Sequence, residues 1–169
     1  KGRYLLDKTV VIYGGELIVP ETSRIDALCV ITGASNVEVG EYVHIATGVR
    51  LISSHDKIIL KRGTFISMGS TLLTSSDDYK NGSLIGPTLP SIVKKVHTGK
   101  IIFEEFSGVG AHTVILPGVT LGYGAVVGAC SLVTKDVPSG EIWAGCPAKK
   151  IGERNLKEIR KNEDLLNNL

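Results

Sequence analysis

Residues 109–138 read VGAHTV, ILPGVT, LGYGAV, VGACSL and VTKDVP, five six-residue units in unbroken succession. Every unit begins with an aliphatic residue and carries a small or β-branched residue at its fifth position. A short repeat at a fixed period is the sequence signature of a solenoid. The same register returns upstream, most loosely in its first three units, at Val19, Ile25, Ile31, Val39, Ile45, Leu51, Leu60, Ile66 and Leu72.

The six-residue period predicts short strands joined by tight corners. The last two residues of one unit and the first of the next form a strand, whose outer two side chains point inward. Glycines such as Gly118 and Gly124 suit the corners because glycine adopts positive φ at little cost. Three units complete a coil of about 18 residues, and coils stack through parallel hydrogen bonds. The repeat therefore predicts a parallel β-helix of unspecified hand, since a β-sandwich or ordinary parallel sheet would require coincidental spacing.

Three interruptions of the repeat leave from the same predicted corner of the triangle, at residues 32–36, 52–57 and 73–100. We expect these segments to carry the chemistry, because functional residues are commonly found on loops held by a rigid scaffold. Insertions tolerated on a plain surface are the alternative. The predicted organisation is a β-helix domain over 1–151, with a long active-site loop at 73–100, and a helical tail over 152–169.

The composition excludes several classes of protein. The 169 residues include 19 basic and 17 acidic side chains, and the net charge of +2 is too small for a nucleic-acid footprint. No apolar run reaches the ~18 residues of a membrane span, and residues 1–8 lack a signal-peptide core. Three cysteines without a CxxC pair favour reduced thiols. We expect a cytoplasmic protein with neither a nucleic-acid partner nor a membrane span.

A histidine and several carboxylates are predicted to lie close together at the corner from which the three interruptions leave. His55 lies in the second coil, and Asp77 and Asp78 lie one coil further along, at about the ~4.8 Å spacing of neighbouring strands. An imidazole beside a carboxylate is a suitable general base near neutral pH, which would take a proton from an attacking hydroxyl. A plain surface turn is the alternative, because SHD and SDD are common turn sequences.

The C-terminal repeat carries a family resemblance. The stretch from Val109 to Ile151, which includes VTKDVP and AGCPAKKI, closely resembles the C-terminal signature of the hexapeptide-repeat acyltransferases. These are left-handed β-helix trimers that transfer acetyl from acetyl-CoA, and the resemblance covers about residues 19–152. Within the family the chain is similar to the galactoside, maltose and xenobiotic O-acetyltransferases and to sugar acetyltransferases of surface-polysaccharide gene clusters. The resemblance thus implies a left-handed parallel β-helix, a homotrimer with active sites between subunits, and acetyl-CoA as acyl donor.

The resemblance also implies positions for both substrates. Acceptor-binding positions fall at His44 and Thr47, and at Tyr79 in the long loop. Coenzyme A would lie in a groove between subunits, where lysines suit its phosphates. The implied coenzyme A-binding residues are Gly110, Ala111, Ala129, Lys135, Pro147 and Lys149.

The identity of the base stays open. The O-acetyltransferase branch has a catalytic histidine in the long loop, where this chain has Asp77 or Asp78. Either His55 supplies the base, with these aspartates beside it, or His44 or His97 does. A third possibility is an amine acceptor, which demands less of a protein base.

We therefore expect an acetyltransferase that acts on a sugar hydroxyl in O-antigen or capsule biosynthesis, with a nucleotide-amino-sugar N-acetyltransferase as the alternative. A non-catalytic assembly module and a metalloenzyme like the γ-class carbonic anhydrases are the other classes. Those anhydrases hold zinc on three histidines, two of them five residues apart, whereas successive histidines here are 11, 42 and 15 residues apart. We thus expect no metal. Outward apolar residues expected to cover the subunit walls of a trimer are Ile59, Phe65, Ile102, Val114 and Leu132.

Overall fold

The computed structural model describes residues 5–168, which form a three-sided parallel β-solenoid followed by one α-helix. Short 3-10 segments occur at Ala34–Asn36 and Ser91–Val93. The helix, α1, spans Leu156–Asn167. The strands are β1 (Val11–Tyr13), β2 (Arg24–Ile25), β3 (Val30–Thr32), β4 (Val37–Val39), β5 (His44–Ile45), β6 (Arg50–Ile52), β7 (Ile58–Leu60), β8 (Phe65–Ile66), β9 (Thr71–Leu73), β10 (Ser75–Asp77), β11 (Val96–Thr98), β12 (Ile101–Phe103), β13 (Gly108–Val109), β14 (Val114–Ile115), β15 (Thr120–Leu121), β16 (Val126–Val127), β17 (Leu132–Val133), β18 (Glu141–Gly145) and β19 (Ala148–Glu153).

The strands of successive coils pair in parallel within three walls. Wall A consists of β2, β5, β8, β13, β16 and β18, with β19 added antiparallel to β18; wall B consists of β1, β3, β6, β9, β14 and β17; wall C consists of β4, β7, β12 and β15. The chain passes from wall C to wall A to wall B and back in each coil. In wall A, for example, His44 lies opposite Phe65 and Ile45 opposite Ile66. The register therefore advances by one whole coil at a time, as the repeat predicts.

The interior of the prism is filled by the first and fifth residues of the six-residue units. First-position side chains such as Ile45, Leu51 and Ile66 are fully buried, and burial of one such side chain stabilises the fold by about 1.5–3 kcal/mol. Some fifth positions are polar, and their hydroxyls are satisfied by backbone carbonyls. Ser107 Oγ donates to Glu104 at 2.6 Å, and Thr113 Oγ1 donates to Gly128 at 3.1 Å. The buried register predicted from the sequence is confirmed.

Close approach between neighbouring corners explains why one corner position is glycine. Gly69, at the edge between walls A and B, has a φ of +68°, and a Cβ there would lie 2.5 Å from the ring of His112. Only glycine fits beneath this ring. His112 itself has a φ of 56°. From the sequence, Gly69 and His112 are ordinary corner residues. In the structure, the ring of His112 lies against Gly69 of the neighbouring coil.

All three insertions leave from the edge where wall B meets wall C, which we call the B–C edge. The first contains the 3-10 segment at Ala34–Asn36, and the second is residues 53–57. The third holds the hairpin of β10 and β11, which pair antiparallel with Asp77 opposite Val96. The prediction that one edge carries every insertion is confirmed.

The C-terminal end differs from the prediction in the position of its helix. α1 lies along the edge between walls C and A. Leu156 and Ile159 pack against Gly124, a corner residue of the solenoid. Arg154 anchors the start of this segment by donating to the carbonyl of Gly124 at 2.7 Å. β19 extends to Glu153, so the helix begins four residues later than the predicted boundary at 152. The one α-helix within residues 5–168 lacks the length and apolar character needed to cross a membrane.

Candidate active site

An open cleft of about 300 Å³ lies at the B–C edge, between the second insertion and the long loop. It brings together His55 and Asp77, two of the residues predicted to be catalytic. The side chains around it combine an imidazole, a carboxylate, an ammonium group and hydroxyls. The lining residues are His55, Ser75, Ser76, Asp77, Pro87, Lys94 and Val96.

The local fold explains how these residues reach one cleft. β9 leaves wall B and continues into β10, which pairs with β11 on the return of the loop, so that Ser76 lies opposite His97. One coil earlier, β6 leaves the same wall and leads into the corner that carries His55. Ser53 fixes the start of that corner, because its buried hydroxyl donates to the carbonyls of Thr32 at 2.8 Å and Gly33 at 2.7 Å.

Asp77 is held by the far side of its own loop. Its Oδ2 accepts a hydrogen bond from the backbone N–H of Gly86 at 2.8 Å. Lys94 Nζ donates to the carbonyls of Gly86 at 3.3 Å and Pro87 at 3.1 Å. Asp77 and Lys94 therefore both hydrogen-bond to the segment Gly86–Pro87, which forms one side of the cleft.

Asp78, the third predicted catalytic residue, lies outside the cleft. Its side chain is 1% exposed, and its oxygens accept from Asn81 Nδ2 at 2.7 Å and from the N–H of Lys80 at 3.0 Å. His97 Nε2 lies 3.6 Å from Asp78 Oδ1. These hydrogen bonds, that from Asn81 first, lower the pKa of Asp78 to about 2. The carboxylate therefore stays charged at neutral pH, and its hydrogen bonds hold the turn at Lys80 and Asn81. A catalytic role for Asp78 stays a prediction.

The predicted acceptor-binding residues lie at three separate positions. His44 projects from wall A, where its Nε2 lies 2.8 Å from Asp26 Oδ2 and 2.9 Å from an Arg24 nitrogen. Thr47 is at the edge between walls A and B, beside a second open cleft that Arg50, Met68 and His112 also line. Tyr79 is 74% exposed, and its hydroxyl lies 3.3 Å from Ser76 Oγ. Within one chain, only Tyr79 is near the cleft of His55.

Most of the implied coenzyme A-binding residues lie at the edge between walls A and B, which we call the A–B edge. A Cβ on Gly110 would lie 2.5 Å from the backbone N of Ala129, so these corners are in direct contact. Ala111 is joined to the same corner, since its carbonyl accepts from the N–H of Cys130 at 2.8 Å. The turn that contains Pro147 leads into β19, which carries Lys149. Pro147 lies two residues after Gly145, the last residue of β18, whose N–H donates to Ser131 Oγ at 3.0 Å.

Lys135 is separate from this group. It is exposed in the corner after β17, at the B–C edge, and wall B lies between it and the other five residues. Within one chain the six residues therefore do not form a single pocket.

Sequence reasoning assigned no role to five residues of the cleft: Ser75, Ser76, Pro87, Lys94 and Val96. The two serines directly precede the predicted carboxylates in the chain, and this adjacency was the available signal. Lys94 had no signal, because its contact with Gly86 depends on how the long loop folds back. Among residues 5–168, no group of three or more His, Cys, Asp or Glu side chains is arranged to hold a metal ion.

Comparison with known proteins gives relatives over most of the chain, although no family model matches the sequence. The chain is 30% identical over 135 residues to a dTDP-4-amino-4,6-dideoxy-D-glucose acyltransferase of Escherichia coli, a match that covers 79% of this chain and 70% of that protein. It is 31% identical over 140 residues to the putative lipopolysaccharide biosynthesis O-acetyl transferase WbbJ of Escherichia coli, over 78% of this chain and 66% of that protein.

Solved structures extend the likeness to nearly the whole chain. An aspartate variant of AntD, an N-acyltransferase from Bacillus cereus in complex with dTDP and coenzyme A, superposes with a TM-score of 0.86 and 31% identity. That match covers 97% of this chain and 88% of AntD. The chain belongs to the hexapeptide-repeat acyltransferase family.

The predictions of family, fold and enzyme class are confirmed: the chain is an acyltransferase built as a left-handed parallel β-helix. A hexapeptide-repeat acetyltransferase from Vibrio cholerae, at 21% identity and a TM-score of 0.65 over 75% of this chain, shares the fold. The catalytic residues of this hexapeptide-repeat acyltransferase stay a prediction.

Proposed function

We propose that this hexapeptide-repeat acyltransferase transfers the acetyl group of acetyl-CoA to a sugar acceptor, with the cleft of His55 and Asp77 as its catalytic site. The observation that carries the proposal is this cleft, where an imidazole and a carboxylate line one polar surface at the edge that bears every insertion. The relatives named above support a sugar as the acceptor, since one acts on a dTDP-linked amino sugar and another is named as an O-acetyl transferase of lipopolysaccharide biosynthesis.

The first candidate acceptor group is a hydroxyl, as in the biosynthesis of O-antigen or capsule. A sugar hydroxyl keeps its proton at neutral pH, so a base must remove it as the oxygen attacks the thioester carbonyl. His55 suits this task because its side chain is exposed in the cleft and makes no hydrogen bond with another described residue. Asp77 would then orient the acceptor through hydrogen bonds. The thiolate of coenzyme A leaves, and the proton held by His55 neutralises it.

The second candidate acceptor group is the amine of a nucleotide-linked amino sugar. Asp77 favours it, because a carboxylate in the long loop binds an amino group well, and the loss of a proton from the amine to solvent removes the need for a strong base. The structural likeness to AntD over nearly the whole chain supports the same candidate. Asp77 rather than His55 would then be the more important of the two residues.

The positions of the two proposed sites support assembly as a homotrimer. The implied coenzyme A-binding residues lie mainly at the A–B edge, whereas His55 and Asp77 lie at the B–C edge of the same chain. We propose that a neighbouring subunit brings its own A–B edge to this cleft, so that the thioester and the acceptor meet between subunits. Lys135, at the B–C edge, could then contribute to the coenzyme A site of the neighbouring subunit.

Outward apolar side chains support this assembly. Ile59 and Ile102 lie next to each other on wall C, and Val114 and Leu132 on wall B. Phe65, on wall A, is 38% exposed. Light scattering should give about three times the mass of one chain, and a monomer that still transfers acetyl would contradict the shared site. We also propose that the enzyme acts in the cytoplasm, where fractionation of cells should find it.

The proposed activity is tested by release of free thiol from acetyl-CoA with three groups of acceptors: hexoses, glycosides and nucleotide-linked amino sugars. Turnover with a hydroxyl acceptor alone supports the first candidate, and turnover with the amino sugars supports the second. Binding of coenzyme A is measured in parallel by calorimetry. A protein that neither binds coenzyme A nor releases thiol with any acceptor would contradict the proposal and favour the non-catalytic assembly module.

A further inference from the structure

The segment Gly86–Pro87 is held from two sides by the residues that line the cleft. Its N–H, on Gly86, donates to Asp77 Oδ2 at 2.8 Å. Its two carbonyls accept from Lys94 Nζ at 3.3 and 3.1 Å. Gly86 has a φ of +140°, a conformation that residues with a side chain rarely adopt, so the segment is specific in shape.

The contact with Gly86 occupies only one of the two carboxylate oxygens of Asp77. Oδ2 is occupied by the Gly86 N–H, whereas Oδ1 accepts no hydrogen bond from residues 5–168. The carboxylate is half-buried at the wall of the cleft. One oxygen thus fixes the orientation of the group, and the other is available to an acceptor.

The contacts of Lys94 suit it to fix the orientation of the Asp77 carboxylate through the Gly86–Pro87 segment. Its side chain is half-buried, and its ammonium group is satisfied by backbone carbonyls rather than by the carboxylate of Asp77. Hydrogen bonds from a charged donor stabilise a structure more than neutral ones do. Loss of the ammonium group would free the carbonyl side of the segment while leaving the fold of the solenoid intact, because the solenoid core does not include this loop.

We propose that Lys94 is a positioning residue that orients Asp77 through the Gly86–Pro87 segment. This inference rests on the proposed function of the cleft. Lys94 acts without touching the acceptor: it fixes the two carbonyls, the segment presents the Gly86 N–H, and that N–H holds one oxygen of Asp77. A second lysine, Lys95, follows in the chain with an exposed side chain that makes no hydrogen bond to the described residues, and therefore provides a matched control.

The test compares Lys94→Met, Lys94→Arg and Lys95→Met in the full chain. Lys94→Met should lower kcat about tenfold, which corresponds to one lost contact of this kind, with the KM for acetyl-CoA unchanged. Lys94→Arg retains donors and charge and should restore most of the turnover. Lys95→Met removes the same charge from the same segment and should match the wild type.

Hydrogen exchange of the Gly86 amide, measured by NMR, gives a readout that does not depend on turnover. The amide should exchange several-fold faster in Lys94→Met, and at the wild-type rate in Lys95→Met. Unchanged exchange in Lys94→Met, or equal loss of turnover in Lys94→Met and Lys95→Met, would overturn the inference. If the wild type transfers no acetyl group, the proposed function fails by itself, and the exchange of Gly86 still decides whether Lys94 controls the contact with Asp77.

Discussion

The hydroxyl of Tyr123 donates a hydrogen bond to Glu163 Oε2 at 2.6 Å, which joins a corner of the solenoid to helix α1. The ring of Tyr123 also packs edge-on against Phe106, with ring centroids 5.9 Å apart. Burial, followed by the hydrogen bond to Glu163, raises the pKa of Tyr123 to about 12. The helix is therefore attached along an edge of the prism by a half-buried phenol that remains protonated at neutral pH.

Tyr123→Phe should loosen α1 without altering the stacked coils. The ring packing is retained and one hydrogen bond to a carboxylate is lost, so we expect a loss of about 1 kcal/mol in the free energy of unfolding. Because the folded-state pKa is raised, the contribution of Tyr123 is present below pH 10 and is lost as the pH rises towards 12. Thermal unfolding at fixed protein concentration, recorded from pH 8 to 11, should show this dependence in the wild type and a weaker one in the variant.

The control for this prediction is Tyr13→Phe, which removes a hydroxyl from a tyrosine that is 63% exposed in β1. It should leave the unfolding temperature within error of the wild type. Equal unfolding profiles for the wild type and Tyr123→Phe would show that the contact with Glu163 contributes nothing to the attachment of α1.

Asp78 should make the long loop sensitive to acid. Its pKa is lowered to about 2, chiefly by the hydrogen bond from Asn81. A lowered folded-state pKa means that the stabilisation is present above about pH 4 and is lost as the pH falls towards 2. Amide exchange within residues 78–95 should therefore accelerate below pH 4 relative to that of the solenoid strands.

Asp78→Asn tests the same relationship at neutral pH. We expect faster exchange in residues 78–95, because the neutral amide is a weaker acceptor for Asn81 and for the Lys80 N–H. Asp164→Asn, which changes an exposed side chain on α1, is the control. A loop that exchanges at the same rate in both variants would argue against the organising role of Asp78.

The sequence predicts the core of this fold well because the repeat depends on local spacing. An aliphatic residue every six positions determines which side chains point inward, so Ile45, Leu51 and Ile66 could be assigned without any tertiary contact. The amphipathic pattern of the tail was less informative. It indicates that one face of the helix is buried but does not identify the surface that buries it, which proved to be the corner at Gly124.

The candidate site is only partly predictable for a related reason. His55 and Asp77 belong to insertions on one edge. Because the repeat places these insertions on successive coils, their proximity could be predicted. The neighbouring residues Asp77 and Asp78, in contrast, differ in role because the strand pairing of β10 directs them to different sides. The hydrogen bond from Lys94 to the Gly86 carbonyl depends on how the long loop folds back. The six-residue period carries no information about that path.

Gly110→Ala should destabilise the corner that we propose for coenzyme A. The added Cβ would lie 2.5 Å from the backbone N of Ala129, so two backbones must separate, at a cost of about 1–3 kcal/mol. Binding of coenzyme A, measured by calorimetry, should weaken along with the thermal stability. Gly118→Ala is the matched control: its φ of +84° makes alanine strained, but no atom lies within 4 Å of the added Cβ.

The control should therefore lose about 1 kcal/mol of stability from backbone strain and retain the affinity for coenzyme A. A similar loss of affinity in both variants would mean that general destabilisation is the cause. Unchanged binding in Gly110→Ala would argue against this corner as part of the coenzyme A site.

His55→Ala and Asp77→Asn distinguish the two candidate acceptor groups. If a hydroxyl is acetylated, removal of the base should lower kcat by about 10²–10⁴-fold, and Asp77→Asn should have a smaller effect that appears largely in the KM for the acceptor. If an amine is acetylated, the order reverses, because the acceptor supplies its own lone pair and depends on the carboxylate of Asp77 for its position. Ser54→Ala, which alters an exposed neighbour of His55 without a described hydrogen bond, is the control. Near-normal turnover in both His55→Ala and Asp77→Asn, with coenzyme A still bound, would exclude this cleft as the catalytic site and direct attention to the second cleft, beside Thr47 and His112.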